Sequence, residues 1–112
     1  MGSRQHAPEL MPGTLDMLIL RTLARERMHG YGIAQSLKQI SDDVLEVGES
    51  SLYPALQRLL LKGYVDAEWG TSENNRRARY YTITRAGRKQ LANETAEFDR
   101  IVSAIYKVIQ HA

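Results

Sequence analysis

The hydrophobic pattern changes period twice along the chain, near Gly63 and again near Thr84. Before Gly63, apolar residues recur at helical spacing. Leu15, Leu18, Ile19 and Leu23, with Thr22, follow the i, i+3, i+4, i+7, i+8 pattern of one buried helix face. Ile33, Leu37 and Ile40 make a second such face, and Leu52, Ala55, Leu56, Leu59 and Leu60 a third. After Gly63 the residues alternate. Val65, Ala67 and Trp69 are separated by Asp66 and Glu68, and Tyr81 and Ile83 share one side of Arg79 to Thr84. That is the period of half-buried strands. Beyond Thr84 the helical spacing returns with Leu91, Phe98, Ile101, Val102, Ile105, Val108 and Ile109. The sequence therefore predicts an α+β, mostly α fold: three helices, a β-hairpin and one long helix.

Local signals set the expected element ends. Thr14 caps the first helix, Asp16 favours its first turn, and the helix stops near Arg27. His29-Gly30-Tyr31-Gly32 breaks the pattern before the second helix, which Ser41-Asp42-Asp43 closes. Val44 to Gly48 has room for a few residues of strand. Ser50 or Ser51 caps the third helix, with Pro54 in its first turn and Lys62-Gly63 as its stop. Gly70 to Asn75 forms the hairpin turn, and Thr84 caps a last helix that reaches Ile109. Nothing after that helix is available to cover its stripe, in which Leu91, Phe98 and Ile105 stand seven apart. A second copy of the chain is the expected cover, giving a homodimer. Residues 1–11 read as a flexible N-terminal arm.

With 112 residues the chain suits one domain. Its 43 % hydrophobic and 25 % charged content are those of a soluble globular protein. There is no cysteine, which excludes disulfides, thiolate metal sites and thiol catalysis. Met17 to Leu20 is the longest apolar run, far short of the roughly 18 residues of a bilayer helix. No secretory signal is seen, and His6 stands where a myristoylation site beginning at Gly2 wants Ser or Thr. A cytoplasmic protein with no membrane partner is expected. His6, His29 and His111 lack the spacing and acidic company of metal ligands, and no acid, serine or histidine forms a catalytic group. Gly30 and Gly32 precede no lysine suited to a phosphate loop. Neither an enzyme nor a cofactor is expected.

Charge is distributed unevenly. Arg76 to Asn93 holds six basic residues and no acid, leaving nine basic against thirteen acidic residues elsewhere. Such a segment suits a polyanion, nucleic acid above all. The element order is that of a winged helix-turn-helix, whose third helix enters the DNA major groove while the hairpin, or wing, meets phosphates or the minor groove. Arg76, Arg77 and Arg79 fall on the descending side of that wing. Gln57 and Arg58 have the chemistry to read bases, although a helix-surface ion pair accounts for Arg58 equally well. Asn74 and Asn75 suit the turn, with Asn75 also within reach of DNA. Tyr81 faces the core and Tyr80 the surface or DNA side.

Particular residue blocks narrow this further. Pro12-Gly13-Thr14-Leu15-Asp16, Leu18-Ile19-Leu20, His29-Gly30-Tyr31-Gly32-Ile33, Ser51-Leu52-Tyr53-Pro54-Ala55-Leu56 with Arg58-Leu59, Gly63-Tyr64-Val65, and Arg79-Tyr80-Tyr81-Thr82-Ile83-Thr84 with Gly87 occur in order. From Leu10 to about Leu91 the chain resembles the PadR family of bacterial transcriptional regulators. By length it is similar to the short branch, with a single C-terminal dimerisation helix.

The resemblance implies a winged helix-turn-helix DNA-binding domain at residues 12–84 and a dimerisation helix at 85–112. It implies a repressor on a dyad operator of double-stranded DNA, with Ser50, Ser51 and Tyr53 at the contacting helix start. The dimer seam would comprise Leu91, Phe98, Ile101, Val102, Ile105, Val108 and Ile109. It also raises a small flat apolar effector, with Phe98 and Trp69 as candidate contacts, against the simpler reading of Phe98 as dimer core. Two departures stand out: Ser50 where the family usually has glycine, suggesting a different cap, and Leu60-Leu61 where it usually has charge. The rival function is a small helical dimer that binds an apolar ligand or a protein and has left DNA behind.

Overall fold

The computed structural model describes residues 13–112, so the expected arm at 1–11 lies outside the described residues. Helix α1 spans Thr14–Arg25, strand β1 Met28–His29, α2 Gly30–Ile40, α3 Glu49–Leu61, β2 Val65–Thr71, β3 Arg77–Ile83 and α4 Arg85–Gln110. The three short helices pack around Ile19, Leu20, Leu23, Ile33, Leu37, Leu52, Leu56 and Leu59, and the hairpin closes the core with Val65, Tyr81 and Ile83. Fully burying each such aliphatic side chain is worth about 1.5–3 kcal/mol. These are the positions the two hydrophobic periods mark, and the fold is a winged helix with a long C-terminal helix.

Helix starts differ from the expectation at two places. The cap of α1 is Gly13, left-handed at φ 88°, and Thr14 is already helical with no side-chain cap bond. The cap of α3 is Gly48, whose carbonyl accepts from the N–H groups of Ser51 and Leu52. Ser50 and Ser51 therefore lie inside the first turn, and Pro54 is pushed to the second. Pro54 has no N–H to give, so the Ser50 carbonyl loses its helical donor on an exposed face. Two further helix ends are closed by hydrogen bonds. His29 Nδ1 accepts from Gly32 N–H at 3.0 Å to cap α2. At the end of α3, Gly63 is left-handed at φ 76°. There Tyr64 N–H reaches Leu59 O at 2.9 Å and Gly63 N–H reaches Leu60 O at 3.0 Å. This pair of bonds satisfies two carbonyls that the helix leaves over.

The sheet is antiparallel in the order β1-β3-β2. Met28 pairs with Tyr81 and His29 with Tyr80, while Val65 to Thr71 pair with Ile83 to Arg77. Both edges of β3 are thus occupied, and Val44 to Gly48 forms no strand. The left-handed residues Asp42 and Asp43 turn the chain there.

Helix α4 starts at a junction of three elements. Thr84 Oγ1 accepts from Gly87 N–H at 3.0 Å and donates to Gly63 O at 2.7 Å, while Thr84 N–H donates to Tyr64 O at 3.0 Å. An added Cβ at Gly87 would overlap the Tyr64 carbonyl oxygen, so the helix passes too close for any side chain. The expectation that the α4 stripe lies wholly uncovered needs correction. Leu91 packs on the chain's own core, and Phe98 and Ile101 share a groove with Met17 of α1. Only the outer stretch stays open, with Val108 76 % and Ile109 67 % exposed.

Thr84→Val keeps the shape of the side chain and removes both Oγ1 bonds. It should lower stability by about 1–3 kcal/mol in urea unfolding, while Thr84→Ser keeps most of it. An unchanged midpoint for Thr84→Val would show that the junction contributes nothing.

Candidate nucleic-acid interface

The alternation of the hairpin gives it two chemically different faces. Val65, Ala67, Trp69 and Thr71 stand opposite Ile83, Tyr81, Arg79 and Arg77 and share one side. The inner end of this side is core. Its outer end carries Trp69, Arg79 and Arg77. On the opposite side Glu68 faces Tyr80, and Arg27 comes up from the α1–β1 connection. Arg27 stacks on Tyr80, 4.4 Å from the ring centroid, and pairs with Glu68 at 3.4 Å. Tyr80 is therefore on the face opposite Tyr81, Arg77 and Arg79, which is the surface alternative of the two expected for it.

The strands run two residues beyond the predicted limits at the turn, which places Arg77 on β3. Ser72 N–H bonds Arg76 O at 2.7 Å to close the loop, and Asn75 adopts the left-handed conformation at φ 58°. Asn75 is thus a turn former in its backbone, and Arg76 sits exposed beside it. Arg76, Arg77 and Arg79 take part in none of the ion pairs among the described residues. Their charge is free for a partner.

Across from this face stands the start of α3. Leu52, Ala55, Leu56 and Leu59 are buried, which turns Ser50, Tyr53 and Gln57 outward. Tyr53 leans back on the first residue of α2: a Cβ built on Gly30 would lie 2.7 Å from its Oη. Only a glycine leaves room for the ring there. A cleft of about 610 Å³ lies between Tyr53 and the wing, lined also by His29, Tyr31, Trp69, Arg76, Arg77, Arg79 and Tyr81, with Glu73 its one acid. Burial pushes the Tyr81 phenol up from its ordinary value, Arg79 pulls it down and Tyr53 adds to the rise. The floor is thus neutral at working pH and the cleft's positive charge comes from its arginines. Tyr31, 68 % exposed, also lines the cleft. Sequence reading missed it because it stands in a helix-start motif with no period of its own.

Arg58 Nη2 donates to Asp16 Oδ1 at 2.8 Å, tying α3 to α1, with Asp16 almost wholly buried. Of the two readings of Arg58, the ion pair is the one this geometry realises. Trp69 and Phe98 line different cavities of the chain. Trp69 lines the wing cleft, Phe98 the groove between α1 and α4, and the two cavities have no residue in common. Among the described residues no cluster of His, Asp or Glu could hold a metal, and no helix is long and apolar enough to cross a membrane.

Three helices with an outward-facing third one, and a basic wing beside it, define a winged helix-turn-helix protein. Residues 19–93 match the model of the transcriptional regulator PadR-like family, and the chain belongs to that family. It is similar in structure to a transcriptional regulator from Clostridium thermocellum, with a TM-score of 0.81 and 30 % identity over 88 % of this chain and 95 % of that one. A PadR family transcriptional regulator from Eggerthella lenta gives a TM-score of 0.75 and 29 % identity, covering 89 % and 85 % of the two chains. In sequence the chain is 30 % identical over 97 residues to an uncharacterized protein of Lysinibacillus sphaericus, covering 84 % of this chain and 89 % of that protein. The family is one of transcriptional regulators, not of enzymes.

Arg58→Ala leaves the Asp16 carboxylate buried without its partner. Thermal or urea unfolding should show a loss of about 1–3 kcal/mol. Stability equal to that of the parent would mean that the pair does not hold α3 to α1.

Proposed function

We propose that the chain is a sequence-specific DNA-binding regulator that acts as a homodimer on a dyad operator. The observation that carries this is the shared cleft: three arginines without acid partners face the exposed start of α3 across it. Residues 12–84 form the DNA-binding domain in this reading. Ser50, Ser51, Tyr53 and Gln57 present α3 to the major groove, where Gln57 has the donor and acceptor to address adenine. Arg76, Arg77 and Arg79 neutralise phosphates, with Asn75 setting the turn that aims them. Residues 85–112 form the dimerisation helix. Ile105, Tyr106, Val108 and Ile109 are too large an exposed apolar run for a lone helix, and the same stripe on a second copy covers it. Two α3 helices then address major grooves about 34–36 Å apart. Repression is the sign of regulation that the family resemblance implies, and the cytoplasm is where this reading places the protein.

A small effector has a candidate seat between α1 and α4. The groove between α1 and α4, about 420 Å³, is lined by Met17, Phe98 and Ile101. A ligand there would bias the angle between α4 and the DNA-binding domain, and so the spacing of the two α3 helices.

The test is fluorescence anisotropy with duplex DNA from upstream of the protein's own gene, across a salt series. Binding should be sequence-selective, steep in salt and saturate at two subunits per site. Weak binding equal for all sequences would contradict the proposal. Arg76→Ala with Arg77→Ala should weaken binding to every sequence and flatten the log–log salt slope by about 0.9 per lost phosphate contact. An unchanged slope would remove the wing from the interface. Gln57→Ala should alter sequence preference more than overall affinity, whereas a uniform loss would make it a positioning residue. Ile105→Asp puts a charge into the apolar seam and should give a monomer by sedimentation. An intact dimer would refute the assignment of that helix.

A further inference from the structure

Trp69 is the chain's one tryptophan, and it stands 58 % exposed on the wing, where it adds little to the core. Its ring does have one close occupant. The Arg77 guanidinium carbon lies 4.4 Å from the ring centroid. In the strand register Trp69 is opposite Arg79, and Arg77 is opposite Thr71. Arg77 therefore reaches diagonally back over the indole, into the cleft that Tyr53 also lines.

The manner of holding matters. A ring holds a guanidinium through its flat face, and the N–H donors lie in the guanidinium plane. A carboxylate holds it through those same donors and cancels its charge. The other stacked arginine of the hairpin, Arg27 on Tyr80, is held both ways, since Glu68 pairs with it. Arg77 has no acid within ion-pair distance among the described residues, so it is held by the ring with no carboxylate on its N–H donors.

We propose that Trp69 is a positioning residue for DNA binding. Its ring orders Arg77 in the cleft before DNA arrives, and the free guanidinium edge then takes a phosphate. This rests on the DNA-binding reading above.

The test has two arms. Without DNA, NMR should show the Arg77 side-chain protons shifted upfield by the indole ring current. The shift should vanish in Trp69→Ala and shrink in Trp69→Phe. With DNA, Trp69→Ala should weaken binding about two- to five-fold, the range of an exposed cation–π contact. Its salt slope should stay that of the parent, because Arg77 keeps its charge, whereas Arg77→Ala lowers the slope by about 0.9. In an Arg77→Ala background the Trp69→Ala change should cost nothing more, whereas with Arg77 present Trp69→Phe should keep most of the affinity that Trp69→Ala loses. An equal loss in both backgrounds would overturn the proposal, because Trp69 would then act on DNA directly or through the fold. So would an unshifted Arg77. A ring-current shift in a protein that binds no DNA would leave the pair standing and overturn its role together with the DNA-binding reading.

Discussion

Two residues fix the wing to the helices. The backbone of Met28 and His29 adds a third strand to the hairpin, pairing with Tyr81 and Tyr80 of β3. The same His29 caps α2 with its side chain, at 3.0 Å from Gly32 N–H. One residue thus belongs to the sheet through its backbone and to the helical half through its imidazole. Because α2 begins at Gly30, and Tyr53 of α3 rests on Gly30, a continuous chain of contacts runs from wing to α2 to α3. The cleft between Tyr53 and the arginines inherits its shape from this connection. Together with Val65, Tyr81 and Ile83 packed into the core, this connection sets the angle of the hairpin to α3.

Electrostatics divides the molecule along the same line. Ion pairs are used where the chain needs to hold itself together: Arg58 with Asp16 between α3 and α1, and Arg27 with Glu68 on the back of the wing. On the front of the wing Arg76, Arg77 and Arg79 are in no ion pair among the described residues, and Glu73 is the one acid lining their cleft. Exposed ion pairs contribute little to stability, and leaving three arginines unpaired costs the fold little. What it provides is a local positive field beside neutral aromatic walls, a surface suited to a phosphate backbone. The arrangement at α4 follows a similar division. Its inner turns are bound to the chain's own core and α1, and its outer turns keep an apolar stripe open.

Most of this was legible in the sequence because the two hydrophobic periods are strong. The four helices, the hairpin, the Gly63 stop and the Thr84 cap all lie where the residue pattern puts them, and the blocks from Gly13 to Gly87 carry the family. Strand β1 was not legible, since two residues are too few to show a period. The start of α3 was misplaced because serine is the commoner cap. Here Gly48, with no side chain to offer, takes the position through its carbonyl. Spacing could not show that Leu91, Phe98 and Ile101 would meet their own domain, because a stripe does not say which surface covers it. The site was legible as charge, in Arg76, Arg77 and Arg79. Its aromatic half was legible only in part: Tyr53 came with the family resemblance and Trp69 as an effector contact, Tyr31 was not marked, and only the folded chain brings the three to one cleft.

The claim that α3 and the wing act as one surface is tested most directly by amide hydrogen exchange, with and without duplex DNA from upstream of the gene. Exchange should slow together in the first two turns of α3 and in residues 69–79 when DNA is added. The outer half of α4 should be protected in both states, as part of a dimer that exists before DNA binds. Slowing confined to α4, or slowing of α3 without the wing, would contradict the account.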